Sequence, residues 1–304
     1  LIFAILVFFA VNQTTAEEKK MKKLITGFLT LAGFFASAES SVWKVSKGAS
    51  VLYVGATCHL LREADFPLPP EFDKAFKAAS LTVFETDIGK LQDPATQHEV
   101  LKRTMYADGS TIDKHLSPAS YRLIQAYCSS NNIPMEALNR FKPSMLMVTI
   151  SAVELMKMGA TQQGVDAFYH KLAKKEGKPI EGLETVEEQL NYIVSMADGH
   201  EDDFVRYSME DLKKLKETFE TLVAAWRKGD DEKIDALMVK DMKARLPGLY
   251  KTMITDRNNR WVPKIEAYLK TPQSEFILVG AGHLGGPEGV LAALRKKGYQ
   301  VQKL

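Results

Sequence analysis

Two stretches of this chain end in the same way. VGATCHLL (54–61) and VGAGHLGG (279–286) each run an apolar strand into small residues and then present a histidine, His59 and His283. A carboxylate, Glu85, falls at the far end of a third apolar run, LTVFETDI (81–88), and Glu184 follows a short fourth one around 179–182. Two neutral imidazoles and a carboxylate form a donor set for a divalent ion that leaves positions open for water and substrate. An ion held in this way lowers the pKa of its water from about 16 towards 7 and polarises a carbonyl, which is the chemistry of hydrolysis. Gly55, Ala56, Gly280, Ala281 and Gly282 suit such a place, because small residues let the backbone come close to a ligand.

The same residues have plainer readings. A histidine after a strand can be purely structural, and Glu85 beside Asp87 can be a solvated strand end. The glycine-rich turn at 280–287 is shaped like a phosphate cradle, but the chain has neither GxGxxG nor GxxxxGK[ST], the spacings that nucleotide loops need. Cys58 next to His59 raises a Cys/His nucleophile pair; neighbours on an extended chain point to opposite sides, so Cys58 is expected to pack into the sheet. His98, His115, His170 and His200 lie on or between helical stretches without ligand spacing and read as surface residues.

The elements around these residues follow from periodicity. SVWKVSKGASVLYVGAT reads as two strands about the turn Lys47-Gly48-Ala49, the second covered on both faces. Pro70 opens a short helix with Phe72, Ala75, Phe76 and Ala79 on one face, and 81–88 is the next strand, completing a βαβ unit. Helical spacing fills 91–175 and 186–270, with a short strand around 178–185 between them. FILVGAG (276–282) is again a buried strand, followed by a helix and the edge strand YQVQKL. These elements predict an α/β fold. Its central sheet is mixed, largely parallel and built from both ends of the chain, with a large helical insertion at about 91–270. Ligands collect outside the carboxyl ends of parallel strands, where His59, Glu85, Glu184 and His283 all fall.

Composition narrows the classes. The 304 residues are 45% hydrophobic and 26% charged with a formal net charge of +2, ordinary globular values that argue against nucleic acid and anionic membranes as partners. MKKLITGFLTLAGFFASAES (21–40) has the layout of a secretory signal over 21–38, with cleavage expected after Ala38. The mature protein is then periplasmic or secreted, with no stable membrane anchor. Residues 1–20 are expected to lie upstream of a true start at Met21, and 39–304 to form a single domain. Two cysteines, Cys58 and Cys128, make no disulfide framework.

Taken in order, SVWKVSKGASVLYVGATCHLL, VFETD, GVDAFYHKLAKKEGKPIEGLETVEEQL, DRNNRW and FILVGAGHLGGPEGVLAALRKKGYQV resemble the TraB/GumN family, related to the Tiki metalloproteases, over nearly all of 42–304. The family's mark is a pair of GxxH motifs with a glutamate after the first. The second is intact as Gly280 to His283. The first departs from the pattern: Ala56 stands three residues before His59 and the glycine is Gly55. Alanine is accommodated there at negative φ and costs about 1 kcal/mol or more at positive φ.

The resemblance implies a divalent-metal site at His59, Glu85 and His283, taking manganese, cobalt or zinc. In Tiki relatives such a site supports peptide hydrolysis. A peptide or other small hydrolysable substrate is therefore the expected partner, with the oligomeric state open. Further family-like positions are Asp166, Glu184, Gln189, Arg257 and Asn258. Arg257 either stabilises an oxyanion or orients Glu85 through a bidentate pair, or it is a buried ion pair joining helix to sheet. Glu184 either accepts a histidine N–H or caps a helix with the TVEEQ turn; Asp166 and Gln189 read as structural. Two other classes stay open on relatives of the fold: a non-catalytic haem- or metal-binding protein, and a metal-independent, esterase-like hydrolase with His59 as general base.

Overall fold

An antiparallel hairpin begins the described part of the chain, which in this computed structural model covers residues 40–304. The signal and upstream segments expected over 1–38 lie outside the described residues. Strands β1 (Val42–Lys47) and β2 (Ser50–Thr57) pair from Val42 opposite Gly55 to Lys47 opposite Ser50, turning through Gly48 at φ 62°. A two-stranded ribbon, β3 (Leu61–Arg62) with β5 (Ala160–Thr161), is too short to show in the sequence pattern. The main sheet also contains β4 (Leu81–Phe84), β6 (Ile180–Gly182), β7 (Glu275–Gly280) and β8 (Gln300–Lys303). Its order is β6-β4-β7-β2-β1-β8. The first four strands are mutually parallel and the hairpin strand β1 is antiparallel to both its neighbours, so the mixed, mostly parallel α/β sheet built from both chain ends is present.

One feature of the order was not legible. The unit β2, helix Pro70–Ala78, β4 forms as expected, but β7 lies between its two strands. Every residue of β7 is buried, as its continuous apolar run requires of a strand covered on both faces. β4 ends at Phe84, so Glu85 lies in the bend beyond it, while the ladder continues through Leu183 N–H to Phe84 O and Glu184 N–H to Glu85 O. Helical segments fill the chain between β4 and β7 around β6, and none in the described residues is long and apolar enough to cross a membrane.

Two packing details fix the ends of the central strands. Trp226, fully buried on the long helix Glu201–Lys228, donates its indole N–H to the Ala56 carbonyl at 2.9 Å and packs on Phe72. Helix Val165–Glu176 begins against the segment carrying His59: Val165 N–H donates to Cys58 O at 3.0 Å, and a Cβ on Gly164 would collide with the carbonyl oxygens of His59 and Cys58. Gly164 has φ −81°, so close approach and not backbone conformation demands glycine there. The loop after β7 is fastened by Glu288, whose carboxylate accepts from Lys243, Tyr250 and Thr255 at 2.7, 2.6 and 2.8 Å. Those three hydrogen bonds hold its pKa down at about 2.

Gly164→Ala should cost about 1–3 kcal/mol through backbone overpacking. Thermal unfolding of the variant should show the loss; an unchanged melting temperature would mean this junction is looser than described. Glu288 gives a second expectation. A carboxyl whose folded pKa is depressed stabilises above its ordinary value, 4.5, and that stability disappears as pH falls towards the folded value. The melting-temperature gap between wild type and Glu288→Gln should be full near neutrality and close between about pH 4.5 and about 2. A gap independent of pH would remove Glu288 as the fastener.

Candidate active site

The register of the parallel strands sets the heights of the side chains beyond them. Thr57 of β2 pairs with Gly280 of β7, and Phe84 of β4 pairs with Leu278, so Thr86 stands level with Gly280. On the other side of β4, Phe84 pairs with Gly182, so Glu184 is level with Thr86. His59, Glu85, Glu184 and His283 thus leave four adjacent strands at the same edge, and all are at least nine-tenths buried.

Each histidine is oriented from behind. His59 Nδ1 lies 3.0 Å from Asp166 Oδ1 and His283 Nδ1 lies 2.8 Å from Asn258 Oδ1. Both partner oxygens are acceptors, so each Nδ1 carries the hydrogen and each Nε2 the lone pair, which is the metal-ligand or general-base tautomer. Asp166 and Gln189, expected to be structural, each contact a candidate site residue: Asp166 lies against His59, and the Gln189 amide donates to Glu85 Oε2 at 3.2 Å. Asn258 is anchored in turn, donating to the carbonyls of His283 and Glu288 at 3.2 and 2.9 Å.

Arg257 sits at the centre, fully buried two residues into helix Asp256–Tyr268, directly after the π-helical turn Lys251–Thr255. Its Nη2 is 2.6 Å from both Glu85 Oε2 and Glu184 Oε1, its Nε is 3.1 Å from Glu184 Oε2, and its Nη1 donates to His283 Nε2 at 3.1 Å. The bidentate pair expected with Glu85 therefore forms with Glu184. Glu184 neither accepts a histidine N–H nor caps the following helix: Thr185 is the cap, and Glu184 takes Arg257 and the Trp261 indole N–H at 3.3 Å. Glu85 Oε1 accepts the Gly280 N–H at 2.7 Å and lies 3.9 Å from His283 Nε2.

Electrostatics follow from these contacts. Burial works to raise the Glu85 pKa, but the Arg257 guanidinium and the Gly280 N–H outweigh it and hold the group down at about 2. Burial raises the Glu184 pKa despite Arg257. Burial and the adjacent guanidinium push His283 down to about 3, so it is neutral. His59 goes the other way: burial pulls it down, yet the Asp166 charge and hydrogen bond raise it overall.

On donor chemistry the residues fit a divalent cation. Three buried acidic side chains, Glu85, Asp166 and Glu184, outnumber the one buried guanidinium among them. Asp166 Oδ2 and Gln189 Oε1 are also buried without hydrogen-bond partners. The fit stops short of a closed set: among the described residues no three His, Cys, Asp or Glu side chains are gathered closely enough to hold an ion. The Arg257 guanidinium occupies the approach to His283 Nε2.

The other candidates fall away from this centre. Cys58 is buried and free, its thiol pushed up by burial, which removes it as a thiolate nucleophile; Cys128 is also free. Ala56 is not among the residues with positive φ, so the departure from the GxxH pattern carries no strain, and Gly280 itself has φ −52°. His98, His115 and His200 are exposed as expected. His170 is not: it is buried against Phe84 with Nε2 3.1 Å from Asp87 Oδ1. Its position on the inner face of helix Val165–Glu176, four residues after Asp166, was the available signal.

A metalloprotease TIKI homolog from Amphimedon queenslandica is 26% identical over 204 residues, a match covering 55% of this chain and 38% of that protein's own length. No solved structure gives a significant match. Residues 41–303, which carry all of the described strands and every site residue above, match the TraB/PrgY/gumN family, and the chain belongs to it.

Proposed function

We propose that the chain is an exported metal-dependent hydrolase that cleaves peptide bonds, with His59, Glu85 and His283 as the metal-holding residues. The observation that carries this is the pair of buried imidazoles, each with Nδ1 tied to an oxygen of a neighbouring helix and Nε2 carrying its lone pair, beside an excess of buried carboxylate. A divalent ion bound there supplies a Lewis acid and an activated water. The choice of peptide as substrate leans on the metalloprotease relative, and that of export on the signal-like stretch 21–38.

The chain's own residues do the remaining work. Asp166 and Asn258 fix the histidine tautomers, and Arg257 and Gly280 N–H keep Glu85 ionised and aimed at His283. Leu222 and Met238 wall a cleft of about 10 Å³ against Thr57, Cys58 and His59, room for about one water. That size argues against a porphyrin at His59. On the Glu184 side an open cleft of about 370 Å³, lined by Thr86, Asp87, Lys90, Thr185 and Lys264, is the natural place for the substrate chain.

The Asp166–His59 pair also supports a second reading, in which His59 Nε2 is the general base of a metal-independent hydrolase. Chelation separates the two. Purified protein should contain a divalent ion, lose peptide-library turnover when stripped and regain it on adding manganese, cobalt or zinc. His283→Ala should abolish stoichiometric metal, while Asn258→Ala should weaken metal affinity by about 10–100-fold. Turnover that survives complete stripping would sink the metal-dependent reading in favour of the His59 base.

A further inference from the structure

We propose that Arg257 is a built-in competitor for the metal, its guanidinium and a divalent ion being alternative cations for His283 and Glu85. This deepens the reading above and rests on it. The argument starts from a single lone pair. His283 Nδ1 carries the hydrogen, donated to Asn258, so Nε2 has one lone pair, and that lone pair already accepts Arg257 Nη1 at 3.1 Å. It cannot accept this hydrogen and bind an ion at once. The same guanidinium takes Glu85 Oε2 through Nη2 at 2.6 Å, so two of the three donors are engaged by one internal cation.

The structure also provides somewhere for Arg257 to go. Nη2 is shared between Glu85 and Glu184, and Nε adds a second bond to Glu184, so letting go of Glu85 and His283 still leaves a bidentate ion pair. The guanidinium carbon lies 4.6 Å from the Trp261 ring centroid and 5.6 Å from that of Tyr192, two π faces that favour a cation. Withdrawal therefore does not strand a buried charge, which is the usual obstacle to moving an arginine inside a protein. Loading the site then exchanges one cation for another against Glu85, and metal affinity is set lower than the donors alone would make it.

The test is a binding measurement on chelator-stripped protein, titrated with zinc and with manganese by calorimetry or against a fluorescent chelator. Arg257→Lys keeps the charge but cannot reach Glu184 and His283 together, so it should bind zinc at least about tenfold tighter than wild type. Arg257→Met should be tighter again if it folds. Side-chain ¹⁵N NMR of the wild type needs no substitution: the Arg257 Nε–H signal should shift in proportion to zinc bound. Equal affinity in wild type and Arg257→Lys, or a gain confined to Arg257→Met, would overturn competition by contact while leaving the metal site standing. An Arg257 signal unmoved at saturating zinc would do the same. Folded Arg257→Lys and wild type that both fail to bind either ion above the His283→Ala background would overturn the metal site and this proposal together.

Discussion

The site depends on one strand pairing. β7, from the far end of the chain, hydrogen-bonds between β2 and β4 and stands in register with both. His283 meets Glu85 and Arg257 because Gly280 is level with Thr57 and Thr86; a slip of one residue would turn the whole inner face of β7 over. The packing punishes such a slip. Phe276 enters an aromatic cluster with Phe72 and Tyr169, and Gly55 leaves just enough room for the Phe276 and Leu278 side chains across the β2–β7 pair. The echo between VGATCHLL and VGAGHLGG is thus a statement about two neighbouring parallel strands that end at one edge.

Burying this many ionisable groups is unfavourable unless every charge is paired and hydrogen-bonded. Arg257 is the residue that makes it tolerable, because its planar fork serves two carboxylates and a histidine at once, which a lysine's point charge cannot. Trp261 completes the arrangement. Its ring packs on His283 with centroids 4.4 Å apart, its face lies against the guanidinium, and its N–H satisfies Glu184. One aromatic side chain therefore touches three members of the network and keeps their contacts in low-dielectric surroundings.

Much of this was legible in the chain, and the reason is local. Continuous apolar runs ending in small residues mark covered strands, and ligands collect at the carboxyl ends of parallel strands, so the sequence alone puts His59, Glu85, Glu184 and His283 at strand ends. Strand order was not readable, since periodicity says that a segment is a strand and nothing about which strand lies beside it. The contacts of the orienting residues were unreadable for a related reason, although the family resemblance singles out their positions. Asp166, Gln189, Asn258 and Arg257 lie on helices, where the direction of a polar side chain depends on how the helix docks. Gly164 is what docks the helix of Asp166, and nothing in its neighbours announces that a carbonyl will press against it. His170 looked like a surface histidine because burial by tertiary packing leaves no mark on a polar residue's own spacing.

The two imidazoles, so alike in sequence, end in opposite environments. His59 is backed by an anion, Asp166, which makes its ring more basic than usual; His283 is backed by a neutral amide and faced by a cation, which keep it uncharged. An aspartate in place of Asn258 would add a fourth buried acid to a cluster that already holds three beside one guanidinium, so the amide suits that position on electrostatic grounds. The asymmetry divides the labour. His283 stays neutral with its Nε2 lone pair on the Arg257 N–H; His59, with a carboxylate behind it, is suited to holding a cation or a proton. Both proposed readings, metal-dependent and general-base, meet at His59 Nε2; at His283 the Nε2 lone pair is on the Arg257 N–H, so under the proposed metal reading that contact has to open first.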